Sequence, residues 1–300
     1  MTNSLKIAFI GLGAMGTPMA RRLVEAQQHV TGFDMRPEAV AKLVAAGGHG
    51  ATSPAEAARA ADIFILMVVS ADQAESVLNA PGVLEALRPD ATVIVMATCA
   101  PARIEAMAAH VATTGRSFAD APVSGGVVGA ESGTLTIMAA APIPVFERVK
   151  PVLAAMGSAL YHLGEKPGQG AAMKIVNQLL CGIHIATAAE GLAFAERAGI
   201  DPKTALDILS GSAASSWMLK NRGARMIQDD GKVTSAVDIF VKDLGLVLDA
   251  GRSEKIGLPL TAVAHQLFLA ASGMGHGAKD DSQVIEAFRA WGPQLKAAKD

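Results

Sequence analysis

Lys174 sits in the run Gly168-Gln169-Gly170-Ala171-Ala172-Met173-Lys174-Ile175-Val176-Asn177-Gln178. At about 100° per residue, Lys174, Asn177, Gln178 and Cys181 share one face of a helix. A lysine that only supported the fold would run its stem out to water. This one instead has two amides and a thiol for neighbours, in a stretch that is otherwise apolar. A free lysine titrates near ~10.4 and is protonated at neutrality. Burial beside a second cation can bring such an amine down to ~7–8, where it can serve as a general acid or base. The spacing therefore marks Lys174 as a candidate functional residue of a polar patch in an apolar helix.

Two further groups could hold a reactant for that amine. In Asp120-Ala121-Pro122-Val123-Ser124-Gly125-Gly126 a serine and two glycines follow a strand end. Ser124, Gly125 and Gly126 can offer a hydroxyl and successive backbone N–H groups, a cradle for a carboxylate. Near the start, Gly11-Leu12-Gly13-Ala14-Met15-Gly16 fits GxGxxG between a strand (Ile7–Ile10) and a helix. There Gly11 permits the tight turn, Gly13 lets a pyrophosphate approach, and Gly16 allows close helix–sheet packing. The helix N-terminus then faces the phosphates. Asp34, at the end of the next strand, can accept from both ribose hydroxyls and would repel a 2′-phosphate, which favours NAD over NADP. Arg36 leaves an alternative open, since it could pair with that phosphate, stack on adenine, or be a solvated loop charge.

The elements that must position these groups are legible as alternating patterns. Lys6–Ile10, His29–Asp34, Ile63–Val69 and Ala91–Thr98 read as strands buried on both faces. Met15–Ala26, Pro37–Ala46, Pro54–Ala60, Gln73–Leu78 and Pro101–Thr114 read as the helices between them. That alternation predicts a doubly wound (Rossmann-type) parallel α/β sheet. Ser117–Pro122, Thr134–Ala139 and Ala159–Leu163 are expected to continue it, with a covering helix over Ile143–Met156. The breaker-rich Gly164–Gly170 then marks a hinge. Beyond it only helices are expected: Ala171–Ala198, one opened by Asp201-Pro202, then Ser216–Gln228, Ala236–Lys255, Leu258–Ser272 and Ser282–Ala290. This divides the chain into a dinucleotide-binding α/β domain, 1–164, and an all-helical C-terminal domain, 165–300, which the resemblance given below makes the substrate and dimerisation domain.

Composition removes several function classes. The 300 residues carry 26 basic and 28 acidic side chains, which gives neither the field of a nucleic-acid binder nor the signature of disorder. Two cysteines, Cys99 and Cys181, form no CxxC, and the scattered histidines suggest no metal site. The start has neither the basic segment nor the cleavage site of a secretory signal. The longest wholly apolar run, Ile63–Val69, is far short of the ~20 residues of a membrane span. Leu179–Ala195, interrupted by His184 and Glu190, reads as a helix buried in protein. A reduced, cytoplasmic compartment is the expectation.

Taken together, GLGAMGTPM, DAPVSGG with GAESGTLTIM, GQGAAMKIVNQ and VKDLGLVLD resemble the β-hydroxyacid dehydrogenase family over nearly the whole chain. The resemblance implies hydride transfer between a nicotinamide cofactor, NAD rather than NADP, and a small hydroxy acid. It implies Lys174 as the catalytic group, Ser124, Gly125 and Gly126 as the carboxylate cradle, and the amides Asn177 and Gln178 as groups that orient substrate. It places Lys242, of the KDL motif, near both nicotinamide and substrate, where it could be the second cation. Thr98 is expected to line the nicotinamide, and Met67 and Val68 to contact the cofactor together with the glycine turn and Asp34. Subunits are expected to pair through the helical domain as a homodimer or homotetramer.

Most relatives carry Asn-Asn where this chain has Asn177-Gln178. That departure, with Ser215-Ser216-Trp217-Met218, Asn221-Arg222, the run Asp238–Asp243 and the run Gly275–Ser282, resembles the L-threonate dehydrogenase branch. The branch oxidises C2 of a four-carbon sugar acid with NAD. A 3-hydroxyisobutyrate dehydrogenase or a tartronate semialdehyde reductase is the alternative within the family, and a cofactor-binding protein without catalysis the alternative outside it. Retained Lys174 weighs against the latter and, with Asp34, against an imine reductase. Trp217 and Phe240 could wall the pocket or belong to the core. Cys99 and Cys181 read as packing.

Overall fold

A computed structural model describes residues 4–291, so the outermost ends of the two expected domains lie outside the described residues. The chain divides into two compact units, Met1–Lys174 and Ile175–Asp300. In the first, nine strands and eight helices alternate: β1 (Lys6–Ile10), α1 (Gly16–Glu25), β2 (His29–Phe33), α2 (Pro37–Ala45), β3 (His49–Gly50), α3 (Pro54–Ala58), β4 (Ile63–Leu66), α4 (Ala71–Leu78), α5 (Val83–Ala86), β5 (Thr92–Val95), α6 (Pro101–Ala112), β6 (Ser117–Asp120), β7 (Val123–Ser124), α7 (Gly126–Ser132), β8 (Thr136–Ala139), α8 (Ile143–Ala154) and β9 (Ala159–His162).

Strands β1 to β6 form one sheet in the order β3-β2-β1-β4-β5-β6, every pair parallel. This is the doubly wound order, whose direction of winding reverses between β1 and β4. Side chains alternate between two cores. Ile7, Phe9, Ile63, Ile65 and Ile94 face one layer of helices, while Ala8, Ile10, Phe64, Leu66 and Val95 face the other. Covering on both faces is why these strands are unbroken aliphatic runs, with no polar alternation.

The expectation that Thr134–Ala139 and Ala159–Leu163 extend this sheet is corrected. β7, β8 and β9 form a separate three-stranded sheet, with β7 antiparallel to β8 and β8 parallel to β9. The change comes at Ala121-Pro122, since proline has no N–H with which to continue a ladder. Asp120 is the joint. Its backbone ends β6 and also exchanges two hydrogen bonds with Ala140, at 3.1 and 2.8 Å.

Helix α9 (Gln169–Arg197) runs from the end of the first unit into the second. By length and composition it could cross a membrane, yet Ile185, Ala189 and Leu192 lie fully buried in the second unit's core. That unit continues with α10 (Pro202–Gly211), α11 (Trp217–Ile227), α12 (Val237–Ser253), α13 (Pro259–Ala271), a π turn, a 3-10 turn (Asp281–Val284) and α14 (Ile285–Ala290). Asp201 and Ser216 cap α10 and α11 by accepting from Thr204 and Leu219 N–H. Helix α12 buries Val237, Phe240, Leu244, Val247 and Gly251, a stripe at helical spacing. No strand occurs here among the described residues; Ala236 and Asp280 form a single bridge.

Candidate active site

The three motif glycines are required for different reasons. Gly11 has a φ of +95°, and a Cβ there would lie 2.3 Å from Met67 O. At Gly16 a Cβ would lie 1.8 Å from Gly11 O. Both demands come from the protein itself, where β1 turns into α1 beside the loop after β4. At Gly13 the nearest atom to an added Cβ is Arg36 Nη2, 3.8 Å away. Nothing in the chain needs a glycine there, and the open backbone leaves room for a group from outside. A dinucleotide's pyrophosphate suits it, approaching Leu12, Gly13, Ala14 and Met15 ahead of the first turn of α1.

Asp34 follows β2 and braces the same turn. Its Oδ2 accepts from Leu12 N–H at 2.8 Å, and its Oδ1 from the N–H and Nε of Arg36 at 2.9 and 3.0 Å. Burial alone would raise this carboxyl. The Arg36 side-chain hydrogen bond, with the N–H groups of Arg36 and Leu12, outweighs it and holds Asp34 below the ordinary carboxylate range. The result is an ionised acceptor at the strand end, suited to ribose hydroxyls. Arg36 is accounted for by this bidentate pairing, with Nη2 also 3.4 Å from Leu12 O. Met67 and Val68 follow β4, Thr98 follows β5, and all three are partly buried. The expected cofactor residues of the first unit thus lie beyond the carboxyl ends of β1, β2, β4 and β5, where doubly wound sheets bind their ligands.

Ser124 ends β7, and Gly125 and Gly126 carry φ of +125° and +62°. The turn leads directly into α7. A Cβ at Gly126 would meet nothing within 4 Å, which leaves the N–H groups and the Ser124 hydroxyl with room for a ligand oxygen.

Asp120, quoted in the sequence motif without a role, anchors the helix that carries Lys174. Its Oδ2 accepts from Ala171 N–H at 2.8 Å, in the first turn of α9. The approach is close because residue 170 is glycine; a Cβ there would lie 2.4 Å from Met138 O and 2.9 Å from Asp120 Oδ2. Burial pushes the Asp120 carboxyl up to about 6, against the opposing pull of the Ala171, Gly168 and Gly170 N–H groups. Lys174 follows one turn later and is 7 % exposed.

Asn177, Gln178 and Cys181 share the face of α9 expected for them. Asn177 Nδ2 donates to Gln178 Oε1 at 2.9 Å and to Cys181 Sγ at 3.4 Å. Gln178 Nε2 donates to Asp243 Oδ2 at 2.5 Å, and Lys242 Nζ donates to Asp243 Oδ1. The second unit therefore joins Lys242 to the two amides through Asp243, a residue that sequence reasoning left without a role. The positive charge of Lys242 is met by its neighbour's carboxylate, so Lys242 is not a bare cation. Gly182 permits the contact between helices, because a Cβ there would lie 2.6 Å from Leu244 Cδ2.

Other expected residues serve the fold. Phe240 is stacked on Phe268 in the core, with ring centroids 5.1 Å apart. Cys99 is buried, and Trp217 is exposed at the start of α11. The branch-like residues also pair within their own unit. Arg222 makes a bidentate ion pair with buried Asp281, at 2.6 and 3.0 Å. Burial pushes Asp281 up to about 6 in spite of that arginine. Asp280 accepts from the Thr234 N–H and hydroxyl, and Asp238 lies against Gly277. Among the described residues no group of three or more His, Cys, Asp or Glu could hold a metal ion.

Comparison with known proteins agrees with this geometry. Residues 6–164 match the family profile described as the NAD binding domain of 6-phosphogluconate dehydrogenase. Residues 168–288 match that described as NAD-binding of NADP-dependent 3-hydroxyisobutyrate dehydrogenase. An L-threonate dehydrogenase from Cupriavidus necator is 45% identical over 95% of this chain and 96% of its own length. A 2-(hydroxymethyl)glutarate dehydrogenase from Eubacterium barkeri is 40% identical over 96% of both. The crystal structure of a 3-hydroxyisobutyrate dehydrogenase from Salmonella typhimurium superposes with a TM-score of 0.89 at 40% identity, covering 93% of this chain and 98% of that one. A glycine turn built for a dinucleotide, a buried lysine on the long helix and full-length likeness to three hydroxy-acid dehydrogenases lead to one assignment: this chain belongs to the β-hydroxyacid dehydrogenase family and is an NAD(P)-binding oxidoreductase.

Proposed function

We propose that this enzyme oxidises L-threonate at C2 to the 2-keto acid, with NAD as hydride acceptor and Lys174 as general base. The observation that carries the reading is the buried amine of Lys174, set one turn past the Asp120 anchor in an otherwise apolar stretch of α9. The substrate follows the C. necator relative. When bound, the nicotinamide supplies the site that takes the hydride. Gly13 and its neighbours hold the pyrophosphate, and the ionised Asp34 takes the ribose hydroxyls, which favours NAD. Met67, Val68, Thr98 and Lys242 border the rest of the cofactor site. Ser124, Gly125 and Gly126 grip the carboxylate and so fix which carbon is presented. Asn177 and Gln178 orient the remaining hydroxyls. The neutral Lys174 amine takes the C2 hydroxyl proton at Nζ as the hydride leaves that carbon; in reduction the ammonium returns it. A chain with only two cysteines, Cys99 and Cys181, suits a reducing, cytoplasmic setting. Phe194 on α9 and Leu260 and Val263 on α13 leave large apolar side chains exposed, a surface suited to a second copy of the chain.

The test is reduction of NAD and of NADP over L-threonate, D-threonate, the erythronates, 3-hydroxyisobutyrate and 2-(hydroxymethyl)glutarate. L-Threonate with NAD is expected to give the highest kcat/KM. Lys174→Ala is expected to abolish turnover and leave cofactor affinity within about twofold. Lys174→Arg should be equally inactive, because a guanidinium keeps its proton. Near-normal rates in either variant would remove Lys174 from the chemistry.

A further inference from the structure

The chain of hydrogen bonds in the second unit has a direction, and the direction is fixed at one end. An amide nitrogen and a lysine Nζ bring protons to a hydrogen bond. Asp243, 2 % exposed, accepts at both oxygens, from Lys242 Nζ and from Gln178 Nε2. With its nitrogen turned to Asp243, Gln178 presents Oε1 to Asn177. That oxygen can only accept, so Asn177 must turn Nδ2 toward it, as observed at 2.9 Å. The second Nδ2 proton points to Cys181 Sγ. Both Asn177 protons are then in use, and Oδ1 remains for a ligand; no hydrogen bond to it is found among the described residues.

We propose that Asp243 is a positioning residue for substrate selection, acting through Gln178 so that Asn177 meets its ligand as an acceptor. The inference rests on the reading that Asn177 faces the substrate. An acceptor at that point demands a donor, so the site selects an acid with a hydroxyl beyond C2. It discriminates against a carboxylate, a keto oxygen or a methyl group at the same place. Gln178 has the length to take part, since its amide reaches Asp243 across the close approach of Gly182 to Leu244.

The experiment compares kcat/KM for L-threonate with that for 2-hydroxybutyrate, which lacks both distal hydroxyls, in the full-length enzyme with NAD. Wild type is expected to favour threonate by at least about tenfold. Asp243→Asn lets the amide chain reverse and consume the Asn177 acceptor. Its preference should fall to within about threefold, through a higher KM for threonate with little change in kcat for 2-hydroxybutyrate. Gln178→Asn shortens the arm, leaves the Asp243–Lys242 pair in place, and should likewise bring the preference to within about threefold if Asp243→Asn fails to fold. The double exchange Gln178→Glu with Asp243→Asn moves the acceptor-only group to position 178, and should recover most of the preference. A merely structural role for Asp243 would lower stability without moving the ratio. An unchanged ratio in the folded single variants, or no recovery in the double exchange, overturns the proposal. Should wild type turn over another acid of the panel and not threonate, the substrate reading falls by itself. The same ratio is then read on that acid and its analogue without the distal hydroxyl.

Discussion

Alanine at each motif glycine separates what the fold requires from what the ligand requires. At position 16 the new methyl would lie 1.8 Å from Gly11 O, 2.9 Å from Gly11 C and 3.2 Å from Phe9 Cε1. Ordinary contact is about 3.5 Å. The overlap exceeds an ångström, and its partner is a backbone oxygen in a turn pinned by the Gly11 N–H to Phe33 O bond of 2.9 Å. Overpacking of this kind costs ~1–3 kcal/mol and occasionally more. At ~2–4 °C per kcal/mol for a unit of this size, Gly16→Ala should lower Tm by ~2–12 °C.

Gly13 behaves oppositely. Its φ is not positive, so alanine fits the backbone, and only Arg36 Nη2 lies within 4 Å of the new methyl. A compatible Gly→Ala change stabilises by ~0.4–1 kcal/mol by restricting the unfolded chain. Gly13→Ala should therefore hold or raise Tm by ~1–3 °C. The same methyl occupies the space through which a pyrophosphate approaches, and cofactor affinity should fall at least ~tenfold, equivalent to ~1.4 kcal/mol. Differential scanning fluorimetry gives the first quantity and NADH fluorescence titration the second. A Gly13→Ala protein that binds NADH as wild type does, or that melts as early as Gly16→Ala, would refute the argument from open backbone.

Two other expectations follow from burial in the fold. Asp120 and Asp281 are both raised to about 6 in the fold from an unfolded value near ~3.9. The folded state then holds more protons across that interval, so their stabilising contribution is complete below about pH 4 and is lost as pH rises through about 6. Each accounts for ~3 kcal/mol. Asp120→Asn should gain on wild type as pH climbs from 4.5 to 7 in parallel denaturant melts, and a constant difference would refute the assignment. Self-association is the second. Leu260→Glu with Val263→Glu should halve the mass by light scattering and leave the circular dichroism intact, whereas an unaltered mass would clear α13 of any interface.

What could be read from the sequence, and what could not, follows from how far apart the interacting groups lie along the chain. The parallel strands were legible because each is a local apolar run, and the glycine turn because strand, motif and helix are adjacent. The small sheet was not, since nothing local in Thr136–Ala139 or Ala159–His162 says which ladder receives it; the break is set upstream at Pro122. Helix α7 was hidden by four glycines, Gly125, Gly126, Gly129 and Gly133, within nine residues. Asp120 and Asp243 stood in quoted motifs yet had no visible role, because their partners are 51 and 65 residues away. Conversely, Asn221-Arg222 and Gly275–Ser282 resembled substrate-specific signatures. In the fold Arg222 holds Asp281, Asp280 holds Thr234, and Gly277 makes room for Asp238. A motif reads alike whether its residues touch a ligand or each other, and burial with a protein partner distinguishes them.

That distinction changes how the α9 face should be understood. Under the proposed mechanism Lys174 gains and loses a proton in each cycle, and it needs a backbone that does not answer to its charge. Asp120 fixes α9 three residues before Lys174, and Asp243 fixes Gln178 four residues after it. Each acid is itself held by several donors. Asp120 takes the Ala171, Gly168 and Gly170 N–H groups, and Asp243 takes Lys242 and Gln178. Loosening the Asp120 clamp leaves every side chain of the face present while freeing the helix turn that carries Lys174, and the loss should fall on kcat; loosening the Asp243 clamp frees the amides and should fall on substrate preference. Rigid placement, more than the lysine's identity alone, is what the two buried carboxylates supply.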